Sequence, residues 1–289
     1  MVLTAFVVGS VLAGGNAVGI KFSNDELDPL WGAALRFTAA AAVMWLILAF
    51  LRRPVPRGRA LTGSLLYGLF NFAGAFGFGF LAFVELEAGF GQLVLAIVPL
   101  LTLLLAVAHG QEGLRMRSLS GALLAIAGIA VMSSGSLAGG SALALVFALL
   151  AALCFAEGAV VVRRFRPIDP YGLNAVGMTV GAVVILGAAV IRGDDIELPE
   201  MAATWLAQAY MILVGSVLVF VLYVFILSRW EASRATYTFV VVPPVTVLVS
   251  WWLRDEPLGA GLVLGGILVL IGVYIGAIQP SRLPVDAEA

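Results

Sequence analysis

Few residues in this chain could do chemistry, and almost all of them stand inside long apolar runs. There is one histidine, His109, in a loop, and one cysteine, Cys154, in an apolar stretch. That leaves no ligands for a zinc site, no histidine-based acid–base pair and no internal disulfide. No metal and no cofactor is expected. What remains is a sparse set of polar and charged side chains in apolar surroundings: Asn16, Arg36, Asn71, Gln92, Glu157 and Tyr237. Glu157 is the one acid within a predicted span, and an intramembrane carboxylate is costly unless it has a task or a partner. Its alternatives are function, or a carboxylate that snorkels to the interface or pairs with another span. Arg163 and Arg164 lie six and seven residues on, too far for the usual pair four residues apart. Arg36 lies seven residues into its span, about 10 Å deep at ~1.5 Å per residue. It either snorkels outward or meets an anion such as a carboxylate, with Asn16 at similar depth. Asn71 sits in Phe70-Asn71-Phe72-Ala73-Gly74-Ala75-Phe76-Gly77-Phe78-Gly79-Phe80, where residues 72, 76, 79 and 80 share a helical face. That face, with Phe72, Phe76 and Phe80, either packs on lipid and helices or walls a wet cavity that would satisfy the amide.

The elements that must hold these residues follow from composition. Of 289 residues, 62% are hydrophobic and 11% charged, against roughly 25% charged in a soluble domain. This is the composition of an integral membrane protein. Cutting the sequence at charged and Gly/Pro-rich breaks gives ten apolar helices, about 2–20, 29–51, 61–82, 88–108, 118–134, 141–162, 171–191, 204–227, 233–253 and 258–278. Residues 2–20 lack a basic leader and a small-residue cleavage site, so they read as the first span. Net charge is −1, and nothing marks a nucleic-acid partner.

Residues 87–128 recur as residues 231–272 at an offset of 243 − 99 = 144, set by Pro99 and Pro243. Glu87 matches Glu231, Thr102 matches Thr246, Glu112 matches Glu256, Gly121 matches Gly265 and Gly128 matches Gly272. Upstream, Phe76 falls on Phe220, and Asp28-Pro29 falls on Asp169-Pro170 at an offset of 141. The chain is therefore expected to be an all-α membrane domain of two five-helix repeats, residues 1–134 and 135–289. Five is odd, so the second repeat is inverted relative to the first. Pro99 and Pro243 lie mid-span, as gating kinks on the pathway or as packing kinks. Gly261, Gly265, Gly272 and Gly276 in span ten, and Gly121, Ala125 and Gly128 in span five, form small-residue faces, for scaffold or dimer contact.

The charges are segregated by loop. With the N-terminus inside, the inner loops carry Arg52, Arg53, Arg57, Arg59, Arg115, Arg117, Arg163, Arg164, Arg166, Arg229 and Arg234. The outer loops carry only Lys21, Arg192 and Arg254 as basic residues, and most of the acids. The basic bias predicts both termini on the cytoplasmic side of the inner membrane.

Gly15-Asn16-Ala17-Val18-Gly19-Ile20-Lys21, Pro29 with Arg36, Trp230-Glu231-Ala232-Ser233-Arg234-Ala235, Pro243, and Asp255-Glu256-Pro257-Leu258 before a Gly-rich last span resemble the ten-span EamA-type branch of the drug/metabolite transporter superfamily. Its YddG-type amino-acid exporters are the first members to compare. The chain departs from the pattern before span five, reading Gly110-Gln111-Glu112-Gly113 where a Gly-Glu-Arg type is usual. The resemblance implies a carrier with a central cavity walled by spans one, three, four, six, eight and nine. Inverted repeats supply two alternating states, so the expected function is a secondary active exporter of small metabolites by alternating access. A membrane-embedded enzyme, a channel and a lipid flippase are the alternatives. The expected site joins Asn16, Arg36, Asn71, Phe72, Phe76, Phe80, Gln92, Glu157, Phe220 and Tyr237. With no Arg/Lys cluster in the spans, the expected solutes are neutral or aromatic amino acids rather than phosphorylated compounds. The expected partners are that solute and the bilayer, with a monomer favoured over a dimer.

Overall fold

In hydrocarbon every backbone N–H and C=O must be satisfied within the protein, and a chain this apolar meets that demand as helices. The computed structural model describes residues 2–111, 113, 116–134, 141–230, 235 and 238–275. It is all-helical. Seven helical stretches are long and apolar enough to cross a membrane: Val2–Asn24, Pro29–Phe50, Arg59–Glu85, Ala88–Ala108, Ala142–Arg164, Pro170–Arg192 and Ala202–Leu227. Met116–Ser134 and the shorter apolar helices Thr238–Arg254 and Ala260–Val273 bring the spans to ten. They are numbered one to ten in chain order, five to each repeat.

Four spans are not regular. Span one stops at Ala13 and restarts at Asn16, and it continues to Asn24 instead of ending near residue 20. Lys21 had marked the expected end; it lies within electrostatic reach of Arg254, Glu256, Asp25 and Glu87. The carbonyls at the break are not wasted: Tyr210 Oη donates to Leu12 O and Thr246 Oγ1 donates to Gly14 O at 2.7 Å. Span four stops at Leu95 and restarts at Val98, so Pro99 occupies the first turn of a new half-helix, where its missing N–H is harmless. Pro243 and Pro244 instead lie inside the continuous helix Thr238–Arg254. Spans three and eight each carry a π-helical segment, Gly68–Gly74 and Met211–Leu218. The repeat offset carries 68 to 212 and 74 to 218, so the two segments are equivalent, and such bulges concentrate at functional sites.

Spans five and ten meet through the small faces noted above. A Cβ on Gly128 would lie 2.7 Å from Gly265 O, and one on Gly272 would lie 2.6 Å from Gly121 O and Ala125 N. The stretches 121–128 and 265–272 are therefore consumed inside the chain as scaffold, while Gly276 lies outside the described residues. Backbones approach this closely only where no side chain intervenes.

The loop charges gather at two opposite ends of the bundle. The acidic end is tied across the repeats. Asp194 Oδ2 accepts from Leu30 N and Trp31 N, both at 3.1 Å. Asp28 Oδ2 accepts from Asp195 N at 2.8 Å, and Glu26 accepts from Glu200 N and Met201 N. Arg254 pairs with both oxygens of Asp25, at 2.6 and 3.1 Å. Glu256 closes the set: its Oε1 accepts from Ala88 N at 2.8 Å and its Oε2 from Gly89 N at 3.1 Å. Thus Asp194, just after span seven, caps the N-terminus of span two, and Glu256, just after span nine, caps that of span four. Each cap joins a span to the loop that follows its repeat counterpart. At the basic end Arg59 Nη2 donates to Arg164 O at 3.1 Å and Arg53 lies 3.7 Å from Asp169.

Candidate functional site

A central cavity of about 800 Å³, its mouth included, runs between the two repeats. It is walled by residues of spans one, three, four, six, eight and nine, the six expected. Toward the basic end the wall is Gly9, Phe155, Tyr223 and Ile226; toward the acidic end it is Ile20 and Phe83. Its surface is overwhelmingly apolar, with Asn16, Gln92, Thr238 and Tyr223 as polar points.

The middle layer is aromatic. Phe76 and its repeat partner Phe220 face each other edge-on at 5.7 Å between ring centres, and both line the cavity. Phe155 lies edge-on to Phe76 at 5.2 Å and against Phe239 at 5.0 Å. Edge-to-face packing fixes ring orientation, so the layer is a shaped wall rather than a greasy lining. The π segments set this up. Each ends just before its cavity phenylalanine, at Gly74 before Phe76 and at Leu218 before Phe220.

Arg36 is fully buried, yet it does not line the cavity. Nη2 donates to Asn16 Oδ1 at 2.9 Å, Nε donates to Ser216 Oγ at 2.9 Å, and Nη1 points at Met211 Sδ at 3.5 Å. The guanidinium carbon stands 4.7 Å from the centre of the Phe76 ring and 5.0 Å from that of Phe37, within cation–π range. Asn16 and Phe76 therefore form the wall, and Arg36 stands behind both. Among the described residues no carboxylate pairs with it. Gly215 leaves the room for this arrangement, since a Cβ there would lie 2.0 Å from Asn16 Oδ1.

The remaining expected residues are dispersed. Gln92 lines the cavity at span four. Phe72 packs behind the wall, edge-on to Phe220 at 4.9 Å and tilted against Phe37 at 5.3 Å, and Phe80 is buried among helices. Asn71 is fully buried beside Gly158, and neither its Oδ1 nor its Nδ2 has a partner among the described residues. Glu157 stands away from the cavity, its Oε1 3.4 Å from His109 Nε2 at the end of span four. Pro99 and Pro243 flank the lining without joining it. Tyr237 lies outside the described residues. Phe155, Tyr223, Phe239, Met211, Ser216 and Gly215 were not anticipated. The repeat gave no hint of them, because each is ordinary in an apolar helix until the helix rotation about its axis is known.

At the acidic end, burial and then the charge of Glu256 push the Glu87 carboxyl above its ordinary range, against a smaller opposing pull from Lys21. Glu87 is thus a half-buried acid within electrostatic reach of Glu256 and Lys21, on the residue before the helix that Glu256 caps.

The sequence pattern of the EamA-like transporter family matches residues 1–134 and again residues 142–277. The chain is 27% identical over 291 residues to the "Uncharacterized inner membrane transporter YedA" of Escherichia coli (strain K12), covering 96% of this chain and 94% of that one. It is 27% identical over 274 residues to the "Uncharacterized transporter YyaM" of Bacillus subtilis (strain 168), covering 91% and 89%. It is 28% identical over 288 residues to the "Probable amino-acid metabolite efflux pump" of Escherichia coli (strain K12), covering 95% and 93%. One solved crystal structure superposes with a TM-score of 0.70 at 19% identity over 95% of each chain, a likeness of fold alone.

Proposed function

This chain belongs to the EamA-like transporter family, a family of multi-pass membrane transporters and not of enzymes, and we propose that it exports neutral or aromatic amino acids by alternating access. The observation that carries this reading is the cavity. Its aromatic middle layer, Phe76, Phe155 and Phe220, suits an apolar body, and its few polar points suit one small polar or zwitterionic head. Among the described residues no cluster of Arg or Lys lines it to meet a phosphorylated solute. The relative named "Probable amino-acid metabolite efflux pump" supports the same solute class.

Two structurally related repeats supply two related packings, one opening each end of the cavity. The cross-repeat ties at the acidic end belong to a state closed there. By the basic bias of the loops that end faces away from the cytoplasm, with both termini cytoplasmic in an inner membrane.

The test is counterflow in proteoliposomes loaded with unlabelled phenylalanine, leucine, glutamate, lysine or a hexose phosphate, with uptake of the labelled solute measured. Phenylalanine and leucine should exchange, and the hexose phosphate should not. Exchange of the hexose phosphate alone would overturn the assignment.

A further inference from the structure

We infer that Arg36 is a positioning residue: it fixes the polarity of the Asn16 amide, so that the cavity presents an N–H donor to the carboxylate of its solute. This rests on the reading of the cavity as the solute site. It assigns Arg36 a role behind the wall, in place of direct contact with the solute.

A guanidinium has only donors, so the Asn16 atom facing it must be the oxygen. Arg36 Nη2 reaches Asn16 Oδ1 at 2.9 Å, and Asn16 lines the cavity. The amide NH2 is then the end left for the cavity, and among the described residues it has no acceptor. Gly215 leaves the room for that oxygen, since an added Cβ would lie 2.0 Å from Oδ1, and a flipped amide would set its NH2 against the Arg36 donor. Arg36 itself is held by Ser216 and by the faces of Phe37 and Phe76, so its donor is aimed before any solute arrives.

The electrostatics agree with the geometry. A buried cation is normally paired with an acid. Every partner found for Arg36 is neutral: an amide, a hydroxyl, a thioether and two rings. Its charge therefore projects through Asn16 and Phe76 into an apolar, weakly screening cavity. The half-helix Asn16–Asn24 also begins at Asn16, which adds its positive end at the same place. An anionic head would lie against Asn16, with its apolar body among Phe76, Phe155 and Phe220.

The experiment measures ligand-induced thermal stabilisation of the purified full-length protein. Two probes share a phenylalkyl body: 3-phenylpropanoate, with a carboxylate alone, and phenethylamine, with an ammonium alone. The wild type should bind 3-phenylpropanoate at least about tenfold more tightly, the scale of one hydrogen bond to a charged group. Arg36→Gln, which can donate or accept, should erase the preference, and Arg36→Lys, which only donates, should restore part of it. Asn16→Asp keeps a partner for Arg36 but presents oxygen to the cavity, so it should reverse the preference. That variant decides the matter if Arg36→Gln fails to fold. Equal binding of both probes by the wild type, tighter binding of phenethylamine, or binding of neither would overturn the inference, as would an Asn16→Asp protein with the wild-type preference. Failure of phenylalanine counterflow alongside the expected probe preference would instead remove the amino-acid assignment and leave this inference standing.

Discussion

Glu256→Gln should open the acidic end of the transporter. The Glu256 carboxylate is buried and accepts two backbone hydrogen bonds, from Ala88 N at 2.8 Å and Gly89 N at 3.1 Å, one on each oxygen. Glutamine is nearly the same shape, but it keeps one acceptor and turns an NH2 toward the second N–H, donor against donor. Losing a hydrogen bond to a charged group costs about 1.5–3 kcal/mol. Losing the negative charge at a helix N-terminus costs roughly a further 0.3–1 kcal/mol. The sum, about 2–4 kcal/mol, falls only on the state in which the repeats are tied. At ~1.4 kcal/mol per factor of ten it shifts the balance toward the untied state by roughly 30- to 700-fold. A reporter cysteine at Ile20 or Phe83, on the cavity wall near this end, in a Cys154→Ser background, would read the shift as its labelling rate with a membrane-impermeant maleimide added at the acidic side. The rate should rise at least tenfold in Glu256→Gln while the protein remains folded. An unchanged rate at both reporter positions would refute the reasoning, and Glu256 would then be an ordinary helix cap with no part in closure.

Phe76→Ala should change the preference among side-chain sizes more than it changes maximal rate, because the ring walls the middle of the cavity; equal relative rates for alanine, leucine and phenylalanine in both proteins would count against that. Gly272→Ala places a methyl 2.6 Å from Gly121 O and Ala125 N, backbone atoms that cannot swing aside. An overpacking cost of about 1–3 kcal/mol should lower Tm in detergent, while solute preference in whatever folds stays as it was. Burial and Glu256 raise the Glu87 carboxyl, so the folded state holds its proton more tightly than the unfolded one. Its contribution to stability is complete below the ordinary carboxylate range and is lost as pH climbs through the raised value. Glu87→Gln should flatten that slope in thermal melts across acidic to neutral pH, with Lys21, Asp25, Arg254 and Glu256 left in place. Glu157→Gln should leave phenylalanine counterflow intact, since the carboxylate faces His109 and not the cavity; loss of a pH-gradient response in that variant would show a coupling role exerted from outside the cavity.

The sequence showed the repeat, the ten helices and the segregation of charge because each of these is periodic or counted over many residues. Pro99 and Pro243 set the offset whatever the local geometry, and apolar length alone predicts a crossing. The break at Gly14–Gly15 was not legible. Two glycines in a span are common, and this pair is an interruption only because Tyr210 and Thr246, some 200 residues away, take up the freed carbonyls. Arg36 and Asn16 were legible as polar residues at matching depth. Which of them lines the cavity depends on Ser216, Met211 and Phe76 holding the guanidinium behind the wall, a matter of helix rotation that no single-sequence pattern records. The phenylalanine-rich face of span three was half right for the same reason: Phe76 points into the cavity, while Phe72 and Phe80, on the same face, are covered by other helices.

The seam between spans five and ten is an isologous contact, more like a homodimer interface than an ordinary helix pair. Under the repeat offset Gly128 becomes Gly272 and Gly265 becomes Gly121, so the approach of Gly128 to Gly265 is the same contact as that of Gly272 to Gly121. A self-mapping contact must straddle the pseudo-two-fold axis. If the repeats trade shapes as proposed, it is carried onto itself and its glycine contacts recur in both states, with Ala125 in one image standing where Val269 stands in the other. The seam should then act as a stator: substitutions there should weaken assembly and leave the balance between states close to where it was, whereas Glu256, whose contacts with Ala88 and Gly89 have no such self-image, should bear on the balance directly.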